Sequence, residues 1–295
     1  MSNQNKSLSV KETIKSVESN LNAYADLLGD LLAQHALSPR QFIGMALNAV
    51  KRNDKLIEVA SKNPKSLFAS LLICAEYGLS PSPEMGECWL IPYGSVVQFQ
   101  LGYQGILKII YRNPNITQVT AEVVYENDDF HYTLGLNPSL HHVPTRGERG
   151  AFLAVYSAVK FRQDEPIFKV MFLDELKEFQ KLSKAGNKGI MFSAKDPQYW
   201  MPKKTCVKQL CKLIPKEYDL ATSMNYDNVI EGGAYTTLND EDEVVVVEGK
   251  TVRPTHNKFA QAMLDEEVQE ESISSKETPL ADSGDVSPNQ LSIMD

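Results

Sequence analysis

Lys204, Lys208 and Lys212 recur every four residues, the spacing that lines side chains along one face of a helix. Ammonium groups held in a row on a rigid face can each neutralise a phosphate and release counterions. Lys203 and Lys216 flank the row, and Val207, Leu210, Cys211 and Ile214 form an apolar stripe opposite it. A smaller version follows the turn Gly102-Tyr103-Gln104-Gly105, where a short helix carries Lys108 and Arg112, again four apart. Glycines there let a backbone or a base approach closely. An aromatic ring beside cations suits stacking on unpaired bases, worth about 1–3 kcal/mol per base. The loop Lys184-Ala185-Gly186-Asn187-Lys188-Gly189 adds two cations. A solvated lysine-rich face explains each feature alone; three in one chain point to nucleic acid.

Other chemistry is poorly provided for. EVVVVEGKT at 243–251 imitates a strand entering a phosphate loop, but Val244 stands where the loop needs its first glycine. His131, His141 and His142 lack ligand spacing and read as surface or cross-strand histidines. Cys206 and Cys211 are spaced wrongly for a zinc knuckle, and packing accounts for Cys211. Asp128-Asp129 reads as a turn between strands. Neither a catalytic set nor a metal site is expected.

The elements that must position these residues change in period along the chain. Residues up to about 78 read as helices: an amphipathic one over 12–36, then one started by Ser38-Pro39-Arg40-Gln41, a short one near Asp54–Ala60, and one over 64–77 stopped by Gly78. Cys88–Tyr93 and Ser95–Leu101 read as a hairpin. A helix over Ile106–Arg112 follows, then strands near Ile116–Glu126, Asp129–Leu134, Ala151–Arg162 and Ile167–Phe172. Asp174 caps a helix to Leu182, Asp196-Pro197 starts another that reaches Ile214-Pro215, and 218–238 reads as irregular. The expected class is α+β, with a helical N-terminal region and a β-hairpin and antiparallel sheet packed on helices. The apolar stripe of helix 12–36 serves either subunit contacts or its own domain.

The chain has 295 residues and a net charge of −8, which at face value argues against a nucleic-acid partner. The charge is uneven. Residues 239–295 hold 14 acidic and 4 basic side chains, a net of −10, which leaves 24 acidic and 26 basic in 1–238. The segment 160–216 alone carries 13 basic and 6 acidic. The acidic end has one aromatic residue, Phe259, and reads as mostly disordered. Three regions result: 1–37 helical, 38–238 the functional domain, 239–295 the tail. Apolar runs are too short for a membrane span of about 20 residues, and the N-terminus MSNQNKSLSV lacks a signal-peptide pattern. The expected location is the cytoplasm. Four cysteines are too few for a disulfide framework.

Several blocks together resemble the RecT family of phage single-strand annealing recombinases. They are NPKSLFASLLICAEYGLSPSP at 63–83, CWLIPYGSVVQFQLGYQG at 88–105, Val119–Leu134, Lys169–Gly189, and WMPKKTCVKQLCKLIP at 200–215. They run in the family's order over about 40–235. The resemblance implies a protein that binds single-stranded DNA and the annealed duplex, self-associates into rings or filaments, and anneals strands without ATP. It implies a phage 5′→3′ exonuclease as partner, a bacterial host cell, and magnesium as a modulator of DNA binding rather than a cofactor. Carried over by position are Tyr103, Gln104 and Gly105; Lys184, Asn187 and Lys188; and Lys203, Lys204 and Lys208. Lys108, Arg112 and Lys212 join them on helix spacing. One departure is Pro202, expected to kink or restart the basic helix and so to alter the aim of Lys203 and Lys204. Trp89 is a variant at the hairpin start, with core packing one explanation. The rival classes are a metal-dependent DNA-processing enzyme, which needs clustered carboxylates, and an oligomeric phage structural protein.

Overall fold

The computed structural model describes residues 2–35, 37–182, 189–214, 218–248 and 251–254. The helical start holds. α1 (Ser2–Ala23) and α2 (Ala25–Leu32) replace the single expected helix; they part at Tyr24, whose ring packs 5.7 Å from Phe68. Their stripe of Val17, Leu21, Leu28 and Leu32 is buried in the chain's own core, so it is covered from within. α3 (Pro39–Lys51) opens with a capping box: Gln41 N donates to Ser38 Oγ and Ser38 N to Gln41 Oε1. Asn53 caps α4 (Asp54–Lys62), and Asn63 caps α5 (Pro64–Glu76). Every residue of α5 from Ser66 to Ala75 is buried, which makes it the central helix. Gly78, at φ +56°, ends it as expected.

β1 (Cys88–Tyr93) and β2 (Val96–Leu101) form the expected hairpin, with Trp89 opposite Gln100 and Ile91 opposite Gln98. Cys88 and Leu90 point into the core, whereas Trp89 and Tyr93 lie on the other face and are exposed. Trp89 is therefore not a core residue. α6 (Tyr103–Ile110) follows. β3 (Ile116–Tyr125), β6 (Phe152–Phe161) and β7 (Ile167–Phe172) make an antiparallel sheet with β6 in the centre. Between its first two strands, β4 (Asp129–Thr133) pairs with β5 (Ser139–Val143), a strand the sequence did not reveal. His131 faces His141 across that pair. At its base the Asp128 carboxylate, with no exposed side-chain surface, accepts from Arg149 Nε at 2.9 Å, Thr145 N, Tyr125 N and His142 Nε2. Asp128 is thus more than a turn residue, and the Arg149 guanidinium holds its carboxyl well below the usual range.

α7 (Leu173–Leu182), α8 (Trp200–Leu210) and α9 (Tyr218–Glu231) complete the helices of the described residues. α9 corrects the expected irregular stretch. Its buried positions, Leu220, Ser223, Met224, Tyr226, Asp227 and Ile230, recur at helical spacing, but Ser223 and Asp227 put polar residues on the buried face and disguise the period. β8 (Tyr235–Leu238) packs against α5 and β2 and pairs with β9 (Val244–Glu248); β10 (Thr251–Pro254) follows. Val244 to Val247 are all buried. The expected boundary at 238/239 therefore falls inside a strand pair, and the acidic residues 240–243 form its turn: Asn239 Oδ1 accepts from Glu241 N and Glu243 N. The compact unit runs through Arg253. Residues 255–295, the rest of the expected tail, lie outside the described residues.

Candidate nucleic-acid interface

α8 is set in place by Asp196, a buried residue whose carboxylate accepts from Trp200 N at 2.7 Å and Met201 N at 2.9 Å. Tyr199, at φ +57°, turns the chain into the helix. The helix begins at Trp200, not at Asp196, and Pro202 sits in its first turn, where the backbone nitrogen has no partner to lose. Of the kink or restart expected at Pro202, the chain shows a helix start, two residues before it. Beyond it, Val207, Leu210, Cys211 and Ile214 enter the core as the spacing predicts.

The basic face is not the open row the spacing suggests. Lys204 and Lys208 are 5% and 7% exposed. Lys204 Nζ lies 3.0 Å from Asp227 Oδ2 and 3.4 Å from Glu231 Oε1. Lys208 Nζ lies 2.9 Å from Asp227 Oδ2 and 2.9 Å from Glu231 Oε2. Asp227 is completely buried, and its other oxygen accepts from Leu101 N at 2.9 Å, at the end of the hairpin. α9 thus meets the i,i+4 lysines with i,i+4 carboxylates. Burial pushes Asp227 up, but the two ammoniums outweigh it and hold the carboxyl below its ordinary range. Burial likewise pulls Lys208 down, and Asp227 and Glu231 together keep it above the usual ammonium value.

Lys204, Lys208 and Glu231, with Asp227 buried behind them, line a cleft of about 540 Å³ between the outer face of the hairpin and α8. Tyr93, Ile91 and Gln100 supply one wall; Met201, Thr205 and Lys212 supply the other. Tyr93 is 41% exposed and Lys212 is exposed at the rim. Trp89, 42% exposed, continues the hairpin face by strand alternation. Gly189, Ile190 and Met191 border the same cleft. Lys184, Asn187 and Lys188 lie just before them, outside the described residues.

The turn before α6 has a different use from the one its glycines suggested. A β-carbon at Gly102 or Gly105 would fall on the carbonyl oxygens of Gly86 and Glu87, so the close approach is by the chain's own backbone. Gln104 is exposed beside Gly86, whereas Gly105 is buried. Lys108 pairs at 2.8 Å with Glu87, which also accepts from Ser80 N. Arg112 pairs with Asp219 at 2.6 Å and donates to the Tyr77 carbonyl. Both cations have carboxylate partners, Arg112 in a half-buried setting and Lys108 with its side chain still exposed. Tyr103 is half-buried against Trp200, ring centroids 5.2 Å apart. Burial, then the nearby Glu122 carboxylate, pushes its hydroxyl up to about 12. Lys203 lies 3.3 Å from Glu122, and its ammonium sits 5.2 Å from the centre of the exposed Trp200 ring.

Sequence reasoning missed Tyr93, Trp89, Asp227 and Glu231. Alternation in Trp89-Leu90-Ile91-Pro92-Tyr93, with aromatics at both ends of one face, was the available signal for the first two. The four-residue spacing of Asp227 and Glu231 was the signal for the others.

No described helix is long and apolar enough to cross a membrane. Comparison with known proteins matches residues 40–245 to the RecT family. Protein RecT of Escherichia coli K12 is 26% identical over 245 residues, 76% of this chain and 88% of that protein. The uncharacterized protein YqaK of Bacillus subtilis 168 is 29% identical over 66 residues, 22% of this chain and 23% of its own. With the family's pattern matched over more than half its length, the chain belongs to the RecT family.

Proposed function

We propose that the protein binds single-stranded DNA and anneals complementary strands during homologous recombination, without ATP and without a covalent step of its own. The observation that carries this reading, beside family membership, is the cleft between hairpin and α8, where the exposed Tyr93 ring and the exposed Lys212 line the same space, with Trp89 further along the same hairpin face. Its volume, about 540 Å³, is that of an ordinary ligand cleft, so it holds a short stretch of strand. Lys212 neutralises phosphate at the rim, and Tyr93 and Trp89 offer ring faces that any base can stack on. Such contacts fix a strand without reading its sequence. Specificity then comes from pairing with the second strand, whose approach is eased by neutralised phosphates.

A longer strand continues from copy to copy, which makes rings or filaments the working form. The setting is a phage in the cytoplasm of a bacterial host, beside a 5′→3′ exonuclease that exposes single strands, with magnesium tuning DNA affinity. The test is annealing of complementary oligonucleotides without nucleotide. Lys212→Glu and Tyr93→Ala are expected to weaken single-strand binding by about five- to a hundredfold, with both proteins still folded by circular dichroism. Wild-type affinity in both variants would remove the cleft from the strand path.

A further inference from the structure

Lys204 and Lys208 face the cleft, yet their charge is already spent on two carboxylates. Those carboxylates are not equivalent. Asp227 has no exposed side-chain surface and is also held by Leu101 N, so it belongs to the scaffold. Glu231 has a third of its side chain exposed, at 32%, and lines the cleft. It closes α9, where the helix dipole disfavours a negative charge, and Gly232-Gly233 follow it. Its two oxygens each take one lysine, Oε1 the Lys204 ammonium and Oε2 the Lys208 ammonium. An anion bridging two ammoniums at the edge of a cleft has the charge and the two-oxygen geometry of a seated phosphodiester.

We propose that Glu231 is a built-in stand-in for a strand phosphate, and that Lys204 and Lys208 form a latent phosphate site uncovered when Glu231 turns out to solvent. The inference rests on the cleft being the strand path. Two ammoniums against Asp227 alone leave one positive charge on the floor; Glu231 cancels it in the free protein and a phosphodiester cancels it in the bound one. The buried ammoniums are never left short of a counter-charge during the exchange, which avoids the main cost of a buried ion pair. Asp227 keeps both lysines aimed throughout. The masked floor also lowers affinity for stray anions, because an incoming group must outcompete a tethered carboxylate.

The experiment compares the full chain, Glu231→Gln and Tyr93→Ala, using fluorescence anisotropy of a labelled oligothymidylate across a salt series, with melting curves of each protein. Glu231→Gln is expected to bind about tenfold more tightly at low salt while melting at a lower temperature. Tighter binding with lower stability is the signature of a mask; a merely structural Glu231 lowers both. Unchanged or weaker binding by Glu231→Gln, with Tyr93→Ala weakened, overturns the mask and leaves the cleft standing. Wild-type binding by Tyr93→Ala, and by Lys212→Glu run beside it, overturns the cleft and the mask with it. Should Glu231→Gln not fold, Glu231→Asp, too short to bridge both ammoniums, is expected to shift affinity in the same sense by a smaller factor. Unchanged affinity there overturns the proposal.

Discussion

Lys208→Met removes an ammonium while keeping an unbranched apolar stem of similar length. In the folded chain that ammonium meets Asp227 and Glu231 at 2.9 Å each. Its loss leaves two carboxylates facing Lys204 alone. Glu231 can turn to water, and Asp227 retains Lys204 at 3.0 Å and Leu101 N at 2.9 Å. Breaking one partner of a buried ion pair costs about 3–5 kcal/mol, and the remaining contacts put Lys208→Met near the lower end, about 3 kcal/mol. Asp227→Ala is worse, about 5 kcal/mol, because two buried ammoniums must share Glu231 and Leu101 N loses its acceptor. For a folded unit of this size each kcal/mol is worth about 2–4 °C, so Lys208→Met should melt about 6–12 °C lower. The assay is thermal melting followed by circular dichroism at neutral pH, repeated in acid. A carboxyl held below its ordinary value stabilises the fold above the unfolded value of about 4, and this is lost as pH falls through the folded value. The gap between wild type and Asp227→Asn should therefore narrow in acid. A melting temperature for Lys208→Met within about 2 °C of wild type, with single-strand affinity lost, would refute the buried network and restore Lys208 to an open phosphate-binding row.

Gly105→Ala should cost soluble yield and several kcal/mol in urea titrations, about the size of a strained core substitution, because its β-carbon meets the Glu87 carbonyl; wild-type stability would disprove that close approach. Asp128→Asn should lower the melting temperature at neutral pH and converge with wild type only in strong acid, since a depressed carboxyl stabilises above its unfolded value and loses that as pH falls; a pH-independent gap would contradict the Arg149 pairing. A chain stopped after Leu238 lacks the four buried valines of β9 and should aggregate, whereas one stopped after Pro254 should stay soluble; equal behaviour in size-exclusion chromatography would return the domain boundary to 238.

What was legible in the sequence was local. The Ser38–Gln41 capping box, the Asn63-Pro64 start and the Gly78 stop each act within one turn, so they read correctly without the rest of the chain. The β1–β2 alternation did the same. The misses share a long-range cause. α9 looked irregular because Ser223 and Asp227 sit on its buried face, and Asp227 is there to serve Lys204, Lys208 and Leu101. β9 was lost among acidic neighbours that form its turn. β5, Ser-Leu-His-His-Val, is short and half exposed, and gains meaning only opposite β4. Of the lysine row, Lys204 and Lys208 share a helix face but are not free, since their partners come from another helix, whereas Lys212 falls past the end of α8 and is exposed.

The burial of α5 also fixes when the protein can finish folding. One side of that helix is covered by β8, and Lys65 at its start pairs with Asp240, 175 residues later. Gln98 of the hairpin likewise waits for the carbonyl of Ala234, 136 residues on. On the ribosome the N-terminal helices and the hairpin therefore emerge with an apolar flank uncovered, and nothing before the last described strands can close it. Contacts of such sequence separation slow folding and leave the nascent chain open to aggregation or chaperone capture. The last described strands decide the moment at which the core they cover becomes sealed.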